Sequence, residues 1–562
     1  MRRLIGSLAI AAAAIVVAGM PASTATPKYF PDDPIWQDND RAVDAVKVGV
    51  VEDANGYDFV VNTFVMPGEH RDVHALNVNT VDEVPDSSWF QNRIGRAQMS
   101  VDQVVKGPDR TAPVSIDGWV VSAGKSSGVQ PGFRMVDPSD TSNPSYPNGQ
   151  LYQIEIDPES NPEMASGAEI IGTAFYHAIG YHTVDVYLAE LDPAKLVISP
   201  DAKIFDPLIG EKRTLSLRDV NRVLERASPQ ANGKFRVLVS RFAAGTYLGN
   251  FRYYGTRPDD PNDIVPHEHR RELRGARVFA AWLNHDDSRG VNSLDFLETA
   301  GGKSFVRHYM FDFGSILGSG TVFAQRHRAG NEYIFEQKPG WLTLATLGLY
   351  TRPWLHINYP PQPPSIGRIE ADAFDPVKWK PEYPNTAFDN MRADDAFWAA
   401  RIVAKFTPEM IRGVVAKARY SDPRATEYLI GVLLKRQKKV LTAWLAGVNP
   451  LVDFTNYEAG GDLTFVNAAV AAGVATDATS YTVQWARLDN ATGQTTAIGG
   501  AETNTRPQFR VPAAAASMRA GEYLEARVSA THASFPTWAT PVTVHFRRTA
   551  VRWETVGITR GQ

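Results

Sequence analysis

The sequence predicts an α+β protein in which a β-rich small lobe is followed by a helical large lobe and then by a β-sandwich. Three observations lead there. Between residues 114 and 156, runs rich in β-formers are separated by small-residue and proline turns, and residues 162–180 then carry apolar side chains at helical spacing up to a closing glycine. Residues 394–406, 408–417 and 423–447 are strongly helical, two of them opening on a proline suited to a first helical turn. Beyond residue 452, apolar and polar residues alternate in short runs separated by Gly and Asn turns, the pattern of a sandwich of about a hundred residues.

The elements follow in order. Met1-Arg-Arg-Leu opens with positive charge, Leu8 to Gly19 is apolar or small, and Ala22, Ser23 and Ala25 suit cleavage after Ala25 or Ala22. Residues 1–25 therefore read as a secretory signal peptide, which predicts export to a bacterial periplasm or the exterior. The run is shorter than the roughly 20 residues a bilayer span needs. Residues 26–110 read as a leader wrapped over a domain surface, with 57–65 a strand or short helix.

The small lobe is expected over residues 111–190: a strand at 114–123, the loop Gly124-Lys-Ser-Ser-Gly128, strands at 133–136 and 151–156, the helix at 162–180 and a strand at 184–189. The large lobe is expected over 191–450, with helices at 217–226 and 268–284. Within it, two strands near 294–297 and 305–311 form a hairpin turned by Gly301-Gly302. Residues 456–562 are the β-sandwich.

Composition narrows the function classes. The chain has 0 cysteines in 562 residues, which excludes disulfides, thiolate metal sites and cysteine nucleophiles. A net charge of -4 gives no support for nucleic-acid binding through a broad basic surface. No Gly-x-Ser-x-Gly elbow is present, which argues against a serine hydrolase.

Two motifs carry chemistry. His285-x-Asp287 is followed by Asn292, and Asp312-Phe313-Gly314 lies at the far end of the predicted hairpin. The spacing lets one loop present a carboxylate to an acceptor hydroxyl and an amide oxygen to a metal, while a second carboxylate holds the same ion. Asp286 competes as base, but the five-residue step to Asn292 favours Asp287.

These motifs match the catalytic loop and metal-binding triplet of protein kinases. Residues 119–318 resemble atypical members of the protein-kinase-like superfamily, in particular a group of exported bacterial proteins. The shared residues are Lys125-Ser-Ser-Gly128 with Pro131-Gly-Phe133, Asn161 to Glu169, Gly255 to Asp263 and the two catalytic segments. The resemblance implies ATP and Mg2+ (or Mn2+) between two lobes, with Asp287 as catalytic base and Asn292 and Asp312 as metal ligands. Lys125, Gly124, Gly128 and Glu169 would then serve the nucleotide.

The small lobe departs from the kinase pattern at one place. The strand position that ordinarily supplies a phosphate-pairing lysine is Glu155. Glu169 is then without its usual partner, and Lys125 is either a substitute cation or a solvated turn lysine. This leaves three alternatives to phosphoryl transfer to an unknown hydroxyl on a protein, glycan or small molecule. They are a pseudokinase acting as a binding module, an AMP transferase with ATP reversed, and a metal-dependent hydrolase using His267, His269 and Asp312. His267-Glu-His269 is not a His-Glu-x-x-His motif and reads as capping and salt bridging at a helix start. Asp259 to Asp263 reads as a turn.

Overall fold

The computed structural model describes residues 26–51, 55–68, 72–109, 115–125, 128–455 and 461–561. The expected signal peptide and its cleavage site lie outside the described residues. The protein is a mixed α+β structure, as the alternating and helical patterns predict.

The leader does more than wrap a surface. It contains the short helices α1 (Asn55–Val60) and α2 (Val101–Lys106), and between them Trp89, Phe90 and Ile94 enter the principal core. Phe90 sits so close to Gly180 that a Cβ there would lie 2.3 Å from its ring. Downstream, the buried Arg271 is held by Asp82 of the leader, by Asp394 at 2.7 Å and by Asp395 at 3.0 Å. The aromatic content of the leader is thus core material, which is why expecting a surface wrap understated it.

The next unit is a seven-stranded sheet made of β1 (Val120–Gly124), β2 (Gly132–Asp137), β3 (Gln150–Ile156), β4 (Val186–Leu191), β5 (Val197–Asp206), β6 (Glu211–Thr214) and β7 (Phe235–Arg241). Their order across the sheet is β4-β7-β3-β2-β1-β5-β6. Strict alternation along β3 sends Tyr152, Ile154 and Ile156 into an apolar layer with Trp119, Phe133 and Val237. Helix α4 (Leu217–Leu224) covers that layer through Val220.

Glu155 therefore points to the other face. There it stands opposite Leu238, which packs on Ile170 of helix α3 (Met164–Ile179). The pleat puts Glu155 on the face opposite Tyr152, Ile154 and Ile156, and packing of α3 on Leu238 makes that the α3 face.

Past β8 (Thr246–Gly249), helix α5 (Arg271–Leu283) runs through the main core. The expected start at 268 is replaced by a separate 3-10 turn over His267–His269. The hairpin of β9 (Ser293–Ala300) and β10 (Lys303–Met310) pairs in unbroken antiparallel register around Gly301-Gly302.

A short exposed helix, α6 (Gln337–Ala345), is followed by α7 (Thr386–Asp389), α8 (Ala393–Ala404), α9 (Pro408–Lys417) and α10 (Pro423–Val440). Two further sheets, β11 (Leu451–Thr455), β12 (Asp462–Asn467) and β15 (Gln508–Arg510) in one and β13 (Ser480–Leu488), β14 (Thr495–Asn504), β16 (Tyr523–Thr531), β17 (Val542–Arg548) and β18 (Trp553–Arg560) in the other, share a core around Trp485 and Trp538. Among the described residues, no helix is long and apolar enough to cross a membrane.

Candidate functional site

Helix α5 ends at Asn284, whose φ of 53° turns the chain sharply out of the helix. The last carbonyls need partners, and Arg436 of α10 supplies donors to two of them. Its Nη2 donates to Ala281 O at 2.6 Å and its Nε to Trp282 O at 2.9 Å. The loop that follows is thus launched from a fixed point.

His285 is buried, and its Nδ1 shares a hydrogen bond of 2.8 Å with the Tyr176 hydroxyl of α3. Its ring meets that of Phe313 edge-on at 5.7 Å, and Tyr176 stacks on Phe313 at 4.5 Å. Burial, with Arg289 nearby, pushes the imidazole down to about 3, so it is neutral near pH 7. It acts as a spacer tying the loop to α3.

The neighbouring aspartates diverge. The Asp286 carboxylate accepts from Gly330 N at 3.2 Å and faces Arg328 at 3.5 Å. Burial pushes it up to about 7. Asp287 turns instead toward the second motif, accepting from the Ser315 hydroxyl at 3.3 Å and pairing with Arg289. Its carbonyl accepts from Asn292 Nδ2 at 2.8 Å, which aligns the amide across the loop. Of the two candidate bases, only Asp287 lies with Asp312.

Asp312 follows β10 in the left-handed region, φ 61°, and leads a 3-10 turn over Phe313–Ser315. Phe313 is fully buried against α3 at Gly172, where a Cβ would come within 2.5 Å. Burial, then the carboxylates of Glu155 and Asp287, push Asp312 up to about 7, with Lys125 and Arg289 pulling the other way. Glu169 on α3 is raised well above its ordinary value by burial and then by Asp312 and Glu155. It lies next to Gly314, whose backbone donates to it.

Lys125 leaves the end of β1 and lays its ammonium on the Glu155 carboxylate, with Gln130 O at 3.3 Å. The side chain is only 16% exposed, which corrects the solvated-turn reading. Gly128, with φ 80°, permits this, because a Cβ there would lie 3.0 Å from Lys125 Nζ. Gly124 packs against Ile204 and borders the cluster without entering it.

Compared with known proteins, the chain matches no family model, no curated protein and no solved structure.

The structure thus gathers Asp287, Asn292, Asp312, Glu169 and Lys125, with Gly128 as a spacer beneath the lysine. Sequence reasoning missed Arg289, which bridges Asp287 and Glu382 (3.0 Å to the latter). Its position two residues after Asp287 was the available signal. It also missed that Lys125 and Glu155 neutralise each other.

Four carboxyls (Asp287, Asp312, Glu155 and Glu169) lie with Lys125 and with Arg289, which Glu382 also engages, and burial first, then the neighbouring carboxylates, shift Asp312 and Glu169 upward. Such a set suits a hard divalent cation. Among the described residues, no three His, Cys, Asp or Glu side chains form a preformed metal group. Magnesium commonly takes only one or two carboxylates and completes its shell with water and substrate phosphates, so Asp312 and Asn292 would hold it only together with a nucleotide. Two cavities, of about 470 Å3 beside Trp354 and Trp379 and about 360 Å3 beside Arg93 and Arg307, lie apart from the cluster.

The hydrolase alternative finds no support in the geometry. His267 spends both ring nitrogens, one on Asp263 at 2.7 Å and the other on Arg252 O, and His269 Nδ1 is in contact with Arg274. The two belong to a buried ion cluster under Trp89, where Arg270 also reaches Asp263. Asp263 is thereby not just a turn residue. It is held below the ordinary carboxylate range chiefly by the charge of His267, against the pull of burial.

Proposed function

We propose that this is an exported, two-lobed kinase-like protein that transfers the γ-phosphoryl group of ATP to a hydroxyl acceptor. The observation that carries the reading is the pairing of two loops. Asp287 and Asp312 sit at the ends of separate elements yet share one electrostatic field, with Asn292 anchored to the first and Ser315 bridging them.

In this reading Asp287 accepts the acceptor's hydroxyl proton as the oxygen bonds to the γ-phosphorus, the bond to the β-phosphate oxygen breaks and ADP leaves. Asn292 Oδ1 and Asp312 would hold Mg2+ or Mn2+, which when bound neutralises phosphate charge. Arg289 offers a second cation within the loop, and Lys125 a third once it leaves Glu155. The 1–25 segment supports export, since it combines a basic start, an apolar run and small residues.

One observation favours a second reading, a binding module without catalysis. Lys125 is already neutralised, and Glu155 at its side repels a triphosphate. Incubating the protein with ATP and Mg2+ or Mn2+, then measuring its melting temperature and intact mass, separates the readings. Stabilisation with a phosphate adduct supports phosphoryl transfer, and an AMP adduct redirects it to nucleotidyl transfer. Neither stabilisation nor adduct with either metal would leave the binding module.

A further inference from the structure

We propose that the cavity of about 360 Å3 beside Arg93 and Arg307 is a binding site for a small phosphorylated anion, either free phosphate or a phosphomonoester. It lies where the leader, the end of α3, the edge of the sheet at β4 and β7, and the β9–β10 hairpin meet. The starting observation is a buried cation that is not neutralised. Arg93 Nη1 donates to His177 O at 2.7 Å and to Tyr181 O at 3.1 Å, bonds that close the end of α3. They satisfy carbonyls but balance no charge, and among the described residues Arg93 makes no ion pair. Burial pushes its guanidinium down to about 10, with Asp86 opposing the shift, so it stays charged near pH 7. Buried charges are ordinarily paired.

Two buried polar atoms of the same lining are also without partners. Thr183 is 8% exposed, and its Oγ1 bonds to nothing among the described residues. His177 Nδ1 is likewise buried and unbonded. Burial, then Arg93 and Lys417, pushes that imidazole down to about 3, so the ring is neutral near pH 7 and can donate from Nδ1. Orphaned buried donors are costly to a fold. Both are groups that an oxyanion accepts from.

The carboxylates of the lining are already engaged. Glu298 accepts from Arg307 Nε at 2.7 Å and from the Tyr309 hydroxyl at 2.5 Å. Asp185 has an interaction of its own. Arg241 is paired with Asp140 at 3.1 Å. Arg93 is therefore the cation left over. Arg307 adds to the field, with Nη1 3.3 Å from His182 Nε2 and Nη2 without a partner among the described residues.

The donor set favours a phosphoryl group over a carboxylate. Arg93, His177 and Thr183 belong to three separate segments, and a phosphate offers three terminal oxygens where a carboxylate offers two. The volume lies in the range of small-molecule sites, which leaves room for a small organic group on the phosphate. The site stands on these residues alone and does not depend on the nucleotide reading of Asp287 and Asp312.

Calorimetric titration of the full chain with inorganic phosphate and with glycerol 3-phosphate tests this, with chloride of equal ionic strength as the control. EDTA is present throughout, which removes any metal-dependent binding at Asp312. Saturable one-to-one binding is expected, tighter for phosphate if the ligand is the free ion and tighter for the ester if it is a phosphomonoester. Thr183→Val removes the orphaned hydroxyl at nearly constant shape. It should weaken binding by about three- to tenfold without lowering the melting temperature, because that hydroxyl bonds to nothing in the fold. Arg93→Gln should weaken binding by about tenfold or more, and Thr183→Val decides the matter if loss of the helix cap unfolds that variant. No saturable binding of either probe would overturn the proposal. So would affinity unchanged in Thr183→Val, which would mean an adventitious ion only.

Discussion

Lys125 and Glu155 form an ion pair across the face of the sheet, the lysine from the end of β1 and the glutamate from β3. Gly132 of the intervening β2 stands directly opposite Glu155, and its missing side chain leaves no Cβ to crowd Ile154 O. The pair sits above Asp312, whose carboxyl feels both charges in opposite directions.

That pairing sets the nucleotide response of two variants. Glu155→Gln frees the ammonium and removes a negative charge beside Asp312, so Mn2+-ATP should bind about three- to tenfold more tightly. Lys125→Ala should weaken the same binding by about tenfold. Calorimetric titration reads both, and weaker binding by Glu155→Gln would contradict the placement of the phosphates.

The raised carboxyl of Asp312 predicts a pH dependence with a definite sign. Its ordinary value is about 3.9, and in the fold it is pushed up to about 7. Between those values the folded state holds a proton that the unfolded state has lost. The stability tied to this group is full below about pH 4 and falls as pH rises toward 7. Asp312→Asn should therefore stabilise the fold by about 1–3 kcal/mol at pH 8 and much less at pH 5. Chemical denaturation at the two pH values measures this, and an equal effect at both would refute it.

A divalent cation should act on the same charge. Mn2+ with a nonhydrolysable ATP analogue should raise the melting temperature more at pH 8 than at pH 5.5, because protonated Asp312 is a poor ligand. The opposite order would place the metal elsewhere.

Gly172 fixes the depth at which Phe313 packs against α3. Gly172→Ala would set a methyl group where only 2.5 Å is open, and should cost about 1–3 kcal/mol by overpacking. Because Phe313 adjoins Asp312, the variant should also lose nucleotide-dependent stabilisation at temperatures where it remains folded. Urea unfolding and thermal shift together read the two effects.

Elements with strong local signals were legible in the sequence. The expected helix at 408–417 is observed as Pro408–Lys417, and the hairpin around Gly301-Gly302 delivers Asp312 beside Asp287. Strands with weak alternation were missed. Val197–Asp206 buries little and carries Ser, Pro, Asp and Lys, so it has no apolar period, and Thr495–Asn504 is exposed and glycine-bearing. The helix expected through residue 447 leaves regular α geometry after Val440.

In the site, the residues of the two motifs could be read because each lies within one short segment. The Lys125–Glu155 pair could not, since it depends on which face of β3 meets α3. Nor could α6, whose apolar residues follow no one-sided period because the helix has no buried face.

The central claim, a nucleotide-metal site built on Asp287, Asn292 and Asp312, is tested most directly by equilibrium binding of ATP to the intact protein at pH 8, with and without Mn2+. The account predicts binding that requires the metal and is lost in Asp312→Ala while the fold persists. Binding that is metal-independent and unchanged in Asp312→Ala would contradict it.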